Sequence, residues 1–367
     1  MTAPTPARAD GPAQRQLHLD LLKLIGSQLI VLHHLSAYGP MAEAASQWAP
    51  GLMRWLYDYA RMAVQVFLVL GGYLALHSLR PALLSGRTPL AALLLRRYVR
   101  LAAPFMAAMG LAVAAAAAAR LWLSDDFIPA APNLGQLLAH ALLLHGVLGT
   151  DALSAGVWYV AIDFQLFALL ALLLWPGLRQ PGRWGVPLLI LAGLSLSLLV
   201  FNRDAGWDNW ALYFFGAYGL GAAVAWTQHA QWPRLWLALL GAVALAALWL
   251  EFRTRIALAL GVAMLLALSH QAAPPGHGLR LPAGLRHTIH ALGRSSYALF
   301  LVHFPVLMLG NALYARWPYP SPWLTATTLL GTWGASVLLG LWFERRVETP
   351  LAARAGAWIS GLGGRRR

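Results

Sequence analysis

The chain contains no cysteine, a single lysine and only 13 acidic residues among 367. The missing thiols exclude disulfides and thiolate chemistry, and leave the redox compartment unreadable. No glycine-rich phosphate loop, nucleophile elbow or nucleic-acid signature is present. No His, Asp or Glu pairs have zincin-like spacing, so no metal is expected. No repeat of fixed period and no soluble domain of useful length is visible. Instead, 59% of residues are hydrophobic against 11% charged, 17 are Trp, and apolar runs of about 16 to 23 residues recur from end to end. The formal charge of +14 would suit nucleic acid if it formed one patch. The arginines instead sit in short segments at the ends of apolar runs, as membrane anchoring predicts. The expected partner is therefore lipid, with no nucleic acid.

The pattern predicts an all-α, multi-pass bundle of ten membrane spans at residues 17–35, 60–79, 101–123, 157–175, 186–201, 210–227, 232–250, 256–270, 292–314 and 323–343. Residues 134–148, which include His140 and His145, form a segment short of the ~20 residues a crossing needs. They are expected to be non-spanning or re-entrant. With ten spans and a cytoplasmic N-terminus, 19 arginines lie on the cytoplasmic side and 7 outside. An extra span would place the six C-terminal arginines outside, so both termini are expected inside. The expected organisation is a mobile Pro- and Ala-rich cytoplasmic tail at 1–16, a membrane domain at 17–350 and a basic cytoplasmic tail at 351–367. A signal peptide fits poorly, because Asp20 and Lys23 break its apolar stretch. The alanines at 112–119 read as close helix packing. Heavy use of Ala, Leu, Arg and Trp points to a GC-rich bacterial genome and to its inner membrane.

Polar residues within the spans mark candidate sites, since charge at membrane depth costs several kcal/mol unless it faces protein or a wet cavity. Lys23 and His34 are eleven residues apart in the first span. That is about three helical turns, which returns them to one face within ~20°. Ser27 falls between them on that face, and Asp20 lies one turn before Lys23.

Four other segments carry alternatives that the sequence leaves open. The adjacent Gly71 and Gly72 mark either close helix contact or a backbone narrowed for a ligand. Arg96, Arg97 and Arg100 suit cytoplasmic anchoring, or a cytosolic phosphorylated donor held by guanidinium forks. Asp163, with Gln165 two residues on, needs a partner, either in a structural ion pair or in catalysis. Tyr297 and His303 share the ninth span, and His303 is either a satisfied structural group or a second member of a histidine site. Glu344 and Glu348, interleaved with Arg345 and Arg346, read as a solvated helix end.

In chain order these segments resemble the membrane acyltransferase family 3. Leu19, Asp20, Lys23 and His34 match its first-helix pattern, and Phe67, Leu70, Gly72 and Tyr73 match its second. Arg96, Arg97, Arg100 and Pro104 match the arginine-rich start of its third helix. Trp158 to Asp163, Leu292 to Pro305 and Glu348 to Pro350 match its remaining segments. The chain departs from the family pattern at Lys23, Gly71 and Asp163, where arginine, serine and glutamate are usual. The resemblance implies an acyl-CoA donor, most often acetyl-CoA, used from the cytoplasmic side. It also implies a hydroxyl acceptor on a polysaccharide or lipid-linked glycan.

On that basis His34 is expected to be a general base or transient acyl carrier, with Lys23 and Asp20 setting the electrostatics of its helix face. Asp163 and His303 join the catalytic candidates. Arg96, Arg97, Arg100, Gly71 and Gly72 are the donor-binding candidates. A buried tunnel among spans one, two, four and nine should link the cytoplasmic arginines to His34. The rival reading is a transporter or flippase of a sugar, lipid or proton-coupled solute.

Overall fold

The structure is a computed structural model and describes residues 11–178, 184–271 and 281–364. The described residues are all-helical, with no strand among them. The N-terminal half comprises α1 (Gly11–Ala37), α2 (Gly39–Trp48), α3 (Pro50–Tyr59), α4 (Val64–Ser85), α5 (Leu90–Ala119), α6 (Leu134–Ala141) and α7 (Trp158–Gly177). It continues through α8 (Gly185–Leu199), α9 (Ala211–Thr227), α10 (Pro233–Leu250), α11 (Thr254–Gln271) and α12 (Ala283–Arg294). The last elements are α13 (Ser296–Tyr314), α14 (Pro322–Phe343) and α15 (Thr349–Gly364), the final two joined by a π-helical turn at Glu344–Glu348.

Seven described helical segments are long and apolar enough to cross a membrane: Pro50–Ser85, Leu90–Ala119, Trp158–Gly177, Gly185–Arg203, Pro233–Leu250, Ser296–Tyr314 and Pro322–Ala357. The protein is therefore a multi-pass membrane protein. Ala211–Thr227 and Thr254–Ser269 are apolar but shorter. The long α1 is diluted by Asp20, Lys23, Gln28, His33 and His34. The expected count of ten takes in these three as well. The 134–148 segment contains only the eight-residue α6, followed by turns. At 1.5 Å per residue α6 is about 12 Å long, well short of a crossing. Residues 1–10 of the expected N-terminal tail and 365–367 of the C-terminal one lie outside the described residues. Helix α1 is already formed at Gly11, and residues 351–364 belong to α15.

Packing between apolar helices within lipid depends on close approach of their backbones. A Cβ on Gly72 would lie 1.9 Å from the carbonyl oxygen of Tyr218, and one on Gly221 would lie 1.8 Å from that of Val69. Glycine is thus required on both sides of the α4–α9 crossing. Around this crossing, Leu68, Leu70, Leu76, Leu166, Leu170, Leu194 and Ala222 form the largest apolar core. A second core, with Phe105, Met109, Val160 and Val302, joins α5, α7 and α13. Gly293 brings α12 against α1, where its Cβ would meet the backbone oxygen of Asp20 at 2.6 Å. Asn311 of α13 accepts from Met41 N at 3.0 Å and donates to Tyr38 O at 3.2 Å, pinning the turn between α1 and α2.

Candidate active site

Helix α1 presents Lys23, Ser27 and Ile30 to a cavity of about 500 Å³, and at this 4-3-4 spacing His34 continues the same face. Arg100, Arg294 and Thr349 are exposed at one end of the cavity, with Glu344 and Glu348 beside them. Arg97, Asp163, Gly71, Tyr297, Val160, Tyr159 and Phe300 line it as well. The walls come from the four expected spans and also from α5, α12 and the α14–α15 junction.

His34 lies just beyond the inner end, 7% exposed, and faces His303, 1% exposed. Its Nδ1 is 2.6 Å from His303 Nε2, and the rings are parallel within 4° with centroids 4.9 Å apart. An N···N hydrogen bond requires one nitrogen to be unprotonated. His303 Nδ1 lies 3.1 Å from the carbonyl of Leu299, which can only accept. With both rings neutral, His303 donates through Nδ1 and accepts through Nε2, so His34 donates from Nδ1 and its Nε2 is the unprotonated nitrogen. Tyr38 and Phe304 pack around His34, at 5.7 and 6.2 Å between ring centroids. Gly156, at φ +80°, brings the loop before α7 within 3.6 Å of His34 Cε1, measured from where a Cβ would stand. A side chain there would be strained and would also meet Phe300 at 3.1 Å.

The acidic candidates are paired. Arg97 Nη2 donates to Asp163 Oδ2 at 2.5 Å, a charge-assisted bond between α5 and α7 that takes both residues' charge into the cavity wall. The guanidinium also stacks over Phe167, 5.1 Å from the ring centroid. Asp20 accepts from Lys23 Nζ at 3.3 Å and contacts His290 Nδ1 at 2.8 Å. It does not line the cavity. Instead it ties α12 to α1, and one turn beyond His290 that helix supplies Arg294.

The donor-binding candidates separate. Arg97, Arg100 and Gly71 line the cavity, whereas Arg96 is exposed away from it and Gly72 is consumed by the contact with α9. Three side-chain atoms close to the charged pair and the mouth are buried without a hydrogen-bond partner: Arg97 Nε, Tyr218 Oη and Glu348 Oε2.

Sequence reading left out Arg294, Tyr159, Phe300 and Tyr218, and assigned Glu348 to a solvated helix end. The structure turns Glu348 onto the cavity through the π-helical turn, a backbone feature that often marks functional sites. Outside the spans, His140 and His145 stack at 4.4 Å, and burial beside His140 holds the pKa of His145 down at about 4. Among the described residues no three His, Asp or Glu side chains converge as a metal site.

Fold and site together define a multi-pass membrane protein with an enclosed histidine pair beside a charged internal cavity. The model of an acyltransferase domain matches residues 17–343, and the chain belongs to the acyltransferase 3 family. It is therefore a membrane acyltransferase. No curated protein and no solved structure matches the chain.

Proposed function

We propose that this acyltransferase takes acyl-CoA, acetyl-CoA first, from the cytoplasmic side of a bacterial inner membrane. It transfers the acyl group to a hydroxyl of an envelope or exported carbohydrate, free or lipid-linked. The observation that carries this reading is the cavity itself, whose lining joins Lys23, Arg100, Arg294, Glu344 and Glu348 to Ile30, one helical turn from His34.

Arg100, Arg294 and Lys23 would hold the nucleotide phosphates. The rise from Lys23 to His34 is about 16 Å, a span an extended phosphopantetheine arm can cover. That arm is rich in amides, and the cavity-lining Arg97 and Glu348, whose Nε and Oε2 are unpartnered, offer a donor and an acceptor to it. Lys23 and Arg100 lie in the N-terminal halves of α1 and α5 and Arg294 just before α13, on the side that the arginine bias assigns to the cytoplasm.

His34 Nε2 is the reactive nitrogen. As a base it takes the acceptor hydroxyl's proton while the oxygen attacks the thioester carbonyl; the C–S bond then breaks and the thiolate leaves as CoA after taking up the proton. In a relay the same lone pair attacks the thioester carbonyl, the C–S bond breaks and CoA leaves as the thiolate; the acyl-imidazole then passes its acyl group to the hydroxyl oxygen, whose proton goes to the thiolate. Both routes use the tautomer that His303 enforces.

The test is transfer of labelled acetyl from acetyl-CoA into envelope carbohydrate by membranes holding the protein, beside membranes holding His34→Ala. Label with the wild type and none with the variant supports the reading. No label in either, with the protein folded and several acyl donors tried, overturns it in favour of transport.

A further inference from the structure

The cavity lining stops within one helical turn of the histidine pair. Ile30 precedes His34 by one turn on α1, and Phe300 precedes His303 by three residues on α13. Both line the cavity, while neither histidine does. The Phe300 ring packs edge-on against Tyr159 at 5.6 Å and lies 6.2 Å from the ring of His303. It also stands 3.1 Å from where a Cβ on Gly156 would be, a point itself 3.6 Å from His34 Cε1. Phe300 lines the cavity and is only partly buried, whereas Ile30 and Val160, which also line it, are buried at 4% and 0% exposure. A helical phenylalanine has two good χ1 wells, so a rotamer change can move this ring without moving α13.

We propose that Phe300 is the gate and the size filter of the acyl path, blocking the cavity from His34 at rest and turning aside only far enough to pass an acyl group of a few carbons. The filter rests on the donor reading above. The physical barrier does not. A molecule that reaches His34 along this cavity passes beside Ile30 and Phe300, the lining residues within one turn of His34 and His303. Phe300 touches the path and not the reacting atoms, so it is a positioning and selectivity residue. Removing its ring frees space beside the reacting carbonyl, where a longer chain can lie. A larger ring takes that space away.

Two readouts on the purified full-length protein test this. The first is kcat/KM with acetyl-, butyryl- and octanoyl-CoA for wild type, Phe300→Ala, Phe300→Leu and Phe300→Trp. The octanoyl-to-acetyl ratio should rise at least 10-fold in Phe300→Ala and less in Phe300→Leu, and the butyryl-to-acetyl ratio should fall in Phe300→Trp. The second is the rate at which diethyl pyrocarbonate modifies His34, followed by mass spectrometry, which should rise about 10-fold in Phe300→Ala. If Phe300→Ala does not fold, the leucine and tryptophan variants carry both readouts. Unchanged ratios and an unchanged labelling rate in folded variants overturn the gate. If the wild type uses no acyl-CoA, the donor reading and the size filter both fail, and the labelling rate alone decides the barrier.

Discussion

His34 Nδ1 and His303 Nε2 stand 2.6 Å apart although 269 positions separate them in the chain. The contact orients both rings, and in the neutral pair it leaves Nε2 of His34 as the unprotonated nitrogen. Loss of His34 should therefore differ in kind from loss of His303. His34→Ala is expected to lower turnover by about 10²–10⁴-fold, the usual worth of a general base, and more if His34 carries the acyl group. His303→Ala should lower kcat and leave residual activity, and His303→Gln, whose amide oxygen can accept from Nδ1–H, should recover part of it. Release of CoA by the purified variants measures all three. Wild-type turnover in His303→Ala would show that the pair is structural.

The Arg97–Asp163 pair is a partly buried charge contact between two helices. Removing one member strands the other, at a cost of about 3–5 kcal/mol. Asp163→Ala and Arg97→Ala should each lower the melting temperature in detergent sharply, and Arg97→Met with Asp163→Leu should restore much of it. If the double variant is as unstable as the sum of the singles, the two residues do not act as a pair.

The two adjacent glycines should respond differently to the same methyl group. At Gly72 the methyl would enter the backbone of α9, so Gly72→Ala should prevent folding or cost well over the ~1–3 kcal/mol of ordinary overpacking. At Gly71 it would meet the ring edge of Tyr218 at 3.0 Å and Asp163 Oδ1 at 3.6 Å, contacts that a small side-chain shift relieves. Gly71→Ala should fold and show its effect in KM for the donor. Equal yields and melting temperatures for the two variants would contradict this contrast.

The cations at the mouth are partly exposed, so each should contribute modestly. Lys23→Gln, Arg100→Gln and Arg294→Gln should each raise KM for acyl-CoA by roughly 1.4- to 5-fold, as exposed charge contacts of about 0.2–1 kcal/mol do. The effect should shrink as salt rises, while kcat stays near wild type. Arg96→Gln, away from the cavity, should leave KM unchanged. A KM series in sodium chloride separates these outcomes.

The sequence by itself determined the class. Long apolar runs bounded by arginine leave a helical membrane bundle as the only workable solution, because backbone polar groups in lipid must be satisfied within helices. It also determined which residues to suspect. A polar side chain in an apolar run is costly enough to stand out, and the 3.6-residue repeat showed that Lys23, Ser27 and His34 share a face. Periodicity says nothing about what a face meets. Only the tertiary structure decided that Asp163 pairs with Arg97, that Asp20 anchors α12 and so places Arg294, and that His34 meets His303. Each is a contact between helices far apart in sequence, fixed by which backbones can approach. Gly71 and Gly72 look alike in sequence, and their different neighbours gave one to the cavity and the other to the α4–α9 crossing. Glu348 looked solvated until a π-helical turn, which has no sequence signature here, carried it onto the cavity wall. Phe300 was one apolar residue among many, and its place between the cavity and the histidines is a property of the packed bundle.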